Sequence, residues 1–447
     1  MKNTTSVYIA LIGLHVALAF LAYFIDVVSF IYSFLIIITG TIAIIVNKDR
    51  NNEALYFAAY FVGFEVFLRM TNGTFLYETG KYAVILFMIL GMFYRGINNQ
   101  AGYYFIYIVL LLPAIVITAQ DLGYEYDMRK AIAFNLSGPV CLGIAAMYCS
   151  QRTISLERFI NILSVLSLPL VSMAVYLFLY TPKNMKEVFI NTGSNFATSG
   201  GFGPNQVSTV LGLGMFIFVV QLFFNTKNLL RLAINTFLLA VFTYRGIITF
   251  SRGGVITAII IIALFAIMVY HITNQKGRNK IIFTLFIGIF FSFGIWAYSS
   301  VQTGGLIENR YKNQDALGRD KESTLSGRET LIKTELQMFY SSPAFGVGVG
   351  RNKEIRKDET GIVSASHNEL TRVLAEHGTF GIFGLLILII VPLSLFQFTK
   401  ENIFLLSFFV FWALTINHAA MRIAAPAFVY ALSLLKISFD EKDSLHR

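Results

Sequence analysis

One pattern governs this chain: continuous apolar runs, most of them about 17 to 22 residues long, recur from end to end. A bilayer core of about 30 Å takes roughly 20 helical residues to cross. Fourteen such runs can be marked, at 6–25, 27–46, 54–70, 81–95, 103–120, 130–149, 158–180, 206–224, 230–248, 254–271, 281–300, 380–398, 403–418 and 422–437. The short fourth run and the polar ends of the third make twelve or thirteen equally compatible. Continuous rather than alternating hydrophobicity selects helices over a barrel. The expected fold is an all-α polytopic membrane protein of about 12–14 transmembrane helices with one large extracytoplasmic helical loop. With 56% hydrophobic and 13% charged residues, the chain is no ordinary soluble globule.

The expected organisation is a helix bundle over 1–300, a loop over 301–379, and C-terminal spans with a short tail over 380–447. Lys2 precedes the first apolar run, and a second run follows directly after Asp26. That pairing predicts a retained signal anchor rather than cleavage. Cys141 and Cys149 share one run and read as buried thiols, not a disulfide framework.

The formal net charge is +10, and its distribution matters more than its size. With a cytoplasmic N-terminus, fifteen Lys/Arg fall in the cytoplasmic loops and tails, while 301–379 balances eleven Lys/Arg against eleven Asp/Glu. This is the positive-inside signature. It accounts for the excess without a nucleic-acid partner. The 301–379 interval, the acidic stretch from Gln120 to Asp127 and the Asn191–Asn205 loop then share the outer face.

Within the loop, Ser326 and Glu329 form a capping-box pattern ahead of Leu331, Ile332, Leu336, Phe339 and Tyr340 at helical spacing. The helix should end before Ser342-Pro343. Gly346, Gly348 and Gly350 suit a tight connection, and no Lys-Ser/Thr follows to make them a nucleotide loop. The charged run 351–361 reads as solvated. Ser366 and Glu369 form a second capping box, opening a helix toward a stop at Gly378.

Several residues could carry chemistry. Arg252, in Phe250-Ser251-Arg252-Gly253-Gly254, sits between two apolar runs, where it binds an anion or snorkels to the interface. Arg245 is a second anion contact or an interfacial anchor. Arg328, at a helix start, favours phosphate or pairs with Glu329 or Glu335. His367 lies at the first turn of the second capped helix, whose positive end should keep its ring neutral and able to accept a proton; the plain alternative is a surface histidine. Asn205, just before a span, caps that helix or touches a headgroup. Glu376 and Arg372 fit a helix-surface ion pair, and Glu65 and Arg69 fit mutual neutralisation inside the bundle. No metal-binding spacing is present, so no structural metal and no cofactor are expected; a divalent ion held loosely on a substrate phosphate stays compatible.

The order Gly203-Pro204-Asn205-Gln206, Thr249-Phe250-Ser251-Arg252-Gly253-Gly254, Ser326-Gly327-Arg328, Pro343-Ala344-Phe345-Gly346-Val347-Gly348-Val349-Gly350, His367-Asn368-Glu369-Leu370 and Ala375-Glu376-His377-Gly378 resembles the O-antigen ligase and O-antigen polymerase superfamily. The likeness covers about 200–385. It implies a bacterial inner-membrane glycosyltransferase with its active site facing the periplasm. Such an enzyme moves a glycan from a polyprenyl-diphosphate carrier to a hydroxyl acceptor, lipid A-core in a ligase. It implies inversion at the anomeric centre without a metal. Arg252 and Arg328 would contact the donor diphosphate, with Asn205 and Asn368 near the headgroup, and His367 would assist acceptor attack. Arg245 has no clear counterpart in the motif.

Other readings keep the same donor and change the acceptor: a polymerase of lipid-linked repeats or an oligosaccharyltransferase acting on protein. A transporter of lipid-linked glycan is the reading from another class. It predicts broken helices and mid-membrane charges, whereas the polar residues here cluster in one outer loop.

Overall fold

The structure, a computed structural model, describes residues 5–121, 127–182, 191–224, 228–321, 328–361 and 364–439. The chain begins with α1 (Thr5–Phe24), α2 (Val27–Asn47), α3 (Glu53–Met70) and α4 (Thr79–Arg95). Next come α5 (Gly102–Leu110) and α6 (Leu112–Asp121), which run as one span, then α7 (Met128–Cys149) and α8 (Leu156–Tyr180). Four further helices are α9 (Pro204–Phe224), α10 (Leu229–Ile248), α11 (Arg252–Ile272) and α12 (Gln275–Gln302). Three shorter helices follow, α13 (Leu306–Tyr311), α14 (Arg328–Ser341) and α15 (Arg351–Thr360). The chain closes with α16 (Glu369–Leu395), α17 (Leu405–Thr415) and α18 (Ala424–Leu432).

Among the described residues, ten spans are long and apolar enough to cross a membrane: α1, α2, α5–α6, α7 to α12, and α16. A multi-pass membrane protein follows. α3 and α4, of 18 and 17 residues, complete the bundle. Side-chain caps start several helices, with Asp127, Ser155, Asn228 and Asn274 each accepting from a backbone N–H in the first turn.

The last two apolar runs form shorter helices than expected. α17 and α18 have 11 and 9 residues, about 16 and 13 Å at the rise of an α-helix. They pack on each other as a hairpin. Phe404, ahead of α17, lies against Phe159 at the start of α8, and Gln151 donates to the Leu434 carbonyl after α18 (3.0 Å). Both ends of the hairpin therefore lie on the face where α7 meets α8. A three-residue parallel pair, β1 (Thr153–Ser155) with β2 (Lys436–Ser438), fastens them there. The apex, residues 416–423, reaches the starts of α9 and α11, where Asn205 Nδ2 donates to the His418 carbonyl (3.1 Å) and Glu369 N–H donates to the Ile416 carbonyl (2.9 Å).

A broken backbone inside a bundle needs polar partners, and buried side chains supply them. Glu65 Oε2 accepts from Ala424 N–H (2.6 Å), at the positive end of α18. Arg69 Nη2 donates to the Arg422 carbonyl (3.1 Å) and pairs with Glu65 (2.8 Å). Lys81 Nζ reaches the Met421 carbonyl (3.5 Å) and pairs with Glu78. Glu65 and Arg69 thus neutralise each other inside the bundle. Buried charges and broken helices do occur here, so their expected absence is no ground for setting a transporter aside.

The loop region departs from expectation in three places. Ser326 lies outside the described residues, and α14 buries Leu331, Thr334, Glu335 and Met338, whereas Tyr340 is exposed. The 351–361 run is not simply solvated: it forms α15, whose Arg356 is buried and pairs with Glu335 (2.7 Å). Arg356 also donates to Thr334 Oγ1 (3.2 Å) and the Ser364 carbonyl (2.6 Å), and Thr371 Oγ1 donates to Glu335 Oε2 (2.5 Å). Arg356→Ala would strand a buried carboxylate and should cost about 3–5 kcal/mol. Thermal unfolding in detergent checks this; an unchanged midpoint would remove the pair from the stability of the loop.

The Arg372–Glu376 pair is likewise interior, with Glu369 as a second partner. α16 breaks at Gly378 (φ 56°), beside the expected loop boundary at 379. Gly346 (φ 75°) packs there so closely that a Cβ would stand 2.4 Å from the Glu376 carbonyl carbon. The glycine run is thus a structural fastening: Val347 and Gly348 N–H donate to the Ala375 and Glu376 carbonyls, and Gly350 N–H donates to Glu376 Oε1.

Candidate functional site

Arg252 is the first residue of α11, launched from a turn in which Phe250 has φ 59°. That conformation is costly for a bulky residue, and the neighbours hold it. Thr249 Oγ1 accepts from Ser251 N–H (3.2 Å), and Ser251 Oγ donates to Asn205 Oδ1 (2.8 Å). Ser208 Oγ donates to the Ser251 carbonyl (2.8 Å). A Cβ on Gly254 would stand 2.1 Å from the Ser208 carbonyl oxygen, so α9 and α11 meet as closely as backbones can.

Arg310, on α13, donates from Nε to the Phe250 carbonyl (2.9 Å), tying the loop to the turn that presents Arg252. Its guanidinium is held down to about 10, first by burial, then by Arg252 and Arg328. Arg328, the first described residue after 321, opens α14 and is lowered by burial and by Arg252. Lys321 is lowered by burial, Arg310 and Arg252, and donates to Thr192 Oγ1 (2.7 Å). Three guanidiniums thus stand close enough to repel one another. Among the described residues, no carboxylate pairs with any of them. The buried arginines Arg69, Arg245, Arg356, Arg372 and Arg422 each donate to a carboxylate or to backbone oxygens.

His367 faces the same group. Its pKa falls to about 4, first through burial and then through Arg328, Arg422 and Arg356. The expected neutral ring therefore has a different cause from the helix end first invoked. Asn368, not Ser366, caps α16, its Oδ1 accepting from Leu370 and Thr371 N–H (2.9 and 3.3 Å), so His367 precedes the cap rather than lying in the first turn. Asn368 has the extended backbone a cap requires (φ −115°, ψ 115°).

Three expected site residues are engaged elsewhere. Asn368 caps its helix. Asn205 spends its amide on the His418 carbonyl (3.1 Å) and on Ser251. Arg245 is 1% exposed and donates to the Leu177 carbonyl, Thr181 Oγ1 and the Thr198 carbonyl, which ties α10 to α8. Arg252, Arg328 and His367 make no side-chain hydrogen bond or ion pair among the described residues.

Three residues at the site went unread in the sequence. Arg310 lies in a stretch rich in Asn, Gln, Asp, Lys and Arg; the signal available is Leu306, Ile307 and Tyr311 flanking it at helical spacing. Arg422, on the hairpin apex, donates to the Ser366 carbonyl (2.7 Å) and so braces the residue before His367. His418 pairs with Thr209 (3.1 Å), and its ring fills the space beside Gly253, where a Cβ would stand 2.6 Å away.

Compared with known proteins, residues 236–389 match a family model described as O-antigen ligase. No curated protein and no solved structure matches the chain. The matched segment runs from α10 into α16 and contains Arg252, Arg310, Arg328 and His367.

Proposed function

We propose, for a chain that residues 236–389 place in the O-antigen ligase and polymerase superfamily, that the guanidinium cluster grips the diphosphate of a lipid-linked glycan donor. The chain is a membrane glycan-processing enzyme of that family, working on a lipid-linked donor and a glycan acceptor. Our finer reading is an O-antigen ligase that attaches polysaccharide to lipid A-core at the periplasmic side of the inner membrane. The observation that carries it is the group Arg252, Arg310 and Arg328, mutually repelling and without a carboxylate.

The chemistry follows from charge. The acceptor hydroxyl oxygen bonds to the anomeric carbon as the carbon–oxygen bond to the diphosphate breaks, and the electron pair leaves with the phosphate. Fixed guanidiniums are worth most where that charge develops. The acceptor proton passes to the neutral His367 ring. In the empty site Arg328 opposes an imidazolium; bound diphosphate offsets Arg328 and raises the ring's proton affinity as the proton arrives. A single displacement inverts the anomeric centre, and arginines take the charge-neutralising role that a divalent ion fills elsewhere.

The test is purified protein given a polyprenyl-diphosphate glycan and lipid A-core, with and without chelator. The expected result is an inverted glycosidic bond to the core, unchanged by chelation. Elongated lipid-linked glycan or a glycosylated peptide would reassign the acceptor. Carriage of the glycan across a bilayer with no bond formed would end the reading.

A further inference from the structure

α12 is attached to the bundle along one edge only. Of its 28 residues just Ile281 and Ser299 are buried, and it packs chiefly on α10. Between the two helices and α8 opens an apolar cavity of about 360 Å³, lined by Phe178, Val241, Tyr244, Phe291, Ile295 and Tyr298 among others. Its only polar fittings are tyrosine hydroxyls.

The cavity adjoins the cluster that holds the guanidiniums. Tyr244 and Ile295 line it and also pack on the small cluster of Ile247, Ile248, Phe250 and Ile307. Phe250 is the residue whose carbonyl holds Arg310. Trp296 meets Tyr311 edge-on (4.8 Å), and Tyr311 senses the charge of both Arg252 and Arg310. An apolar crevice beside a group of cations, with one small apolar cluster between them, has the polarity of a prenyl chain ending in a diphosphate.

We propose that the crevice between α10 and α12 seats the polyprenyl tail of the donor, with its diphosphate ending on Arg252, Arg310 and Arg328. This rests on the donor chemistry proposed above. It adds where the carrier enters: sideways from the bilayer, along α12. The cavity has room for the first few isoprene units, so it reads the tail next to the headgroup.

Gly294 lines the crevice, and a Cβ there meets nothing within 4 Å, so Gly294→Phe fills the space without a clash in the fold. Gly288, on the same helix, is equally open but outside the lining, and Gly288→Phe is the control. Full-length protein in nanodiscs is given a polyprenyl donor and one whose diphosphate carries a methyl group in place of the prenyl chain. Gly294→Phe should raise KM for the polyprenyl donor about tenfold, with kcat and the KM of the methyl donor nearly unchanged, and Gly288→Phe should move neither. Equal changes for both donors, or none, would overturn the proposal. A diazirine-bearing polyprenyl diphosphate gives a readout independent of transfer. Labelling of 290–298 should be competed by unlabelled polyprenyl diphosphate and not by phospholipid. Competition by phospholipid would make the crevice an ordinary lipid contact and overturn it; specific labelling without any transfer would keep the crevice and remove the proposed function.

Discussion

Arg252→Ala should cut glycan transfer by about 10²–10³, the scale of removing one fixed donor from a developing oxyanion. Arg328→Ala should do the same, and the double variant should lose less than the product of the two, because they act on one diphosphate. Neither change should harm the fold. Both side chains lack hydrogen-bonded partners among the described residues, and Arg328 is held down by burial and then by Arg252. Deleting one relieves like-charge repulsion, so the thermal midpoint should stay level or rise, as when a site strained for function is relaxed. Transfer assays and thermal unfolding on one preparation check both halves. Wild-type transfer by either variant would remove the diphosphate role, and a collapse in midpoint would recast the arginines as structural.

His367→Ala should lower kcat by about 10²–10⁴, the usual worth of a positioned general base. The pH profile is the sharper test. The ring's pKa lies at about 4 in the empty site, so kcat/KM should stay flat from pH 8 down to about 5 and fall only below. The sign follows from the base being active when neutral: acid protonates it and stops transfer. After burial, Arg328 contributes most to the depression, so Arg328→Gln should move the acid limb of the residual activity upward. The limb in kcat should stand at higher pH than the limb in kcat/KM, because bound diphosphate offsets the arginines. A limb near the ordinary imidazole value in kcat/KM, or one that Arg328→Gln leaves in place, would contradict the assignment.

How far the sequence reveals such a site depends on what each residue has for neighbours. Arg252 is legible because a lone cation between two apolar runs costs free energy. His367 is legible from its place before an apolar helix, though the reason for its neutrality is not: Arg328, Arg422 and Arg356 come from three separate elements. Arg310 and Arg422 acquire meaning only when α13 and the hairpin apex reach the turn before α11 and the loop before α16. The same limit explains the hairpin. Runs 403–418 and 422–437 are as hydrophobic as a span, and periodicity alone does not tell a crossing from a turn-back. What distinguishes them is Glu65, Arg69 and Lys81, contributed by helices far earlier in the chain. Ser366 fits the capping-box spacing in the sequence, yet the backbone makes Asn368 the cap.

The C-terminal hairpin has a consequence for how the protein assembles. Arg422 is made after the helices that present Arg252, Arg310 and Arg328, and it braces the segment leading to His367. Until α17 and α18 pack together, Glu65 lacks the amide it caps and the loop before α16 lacks its brace. The surroundings of His367 are therefore completed last in the order of synthesis.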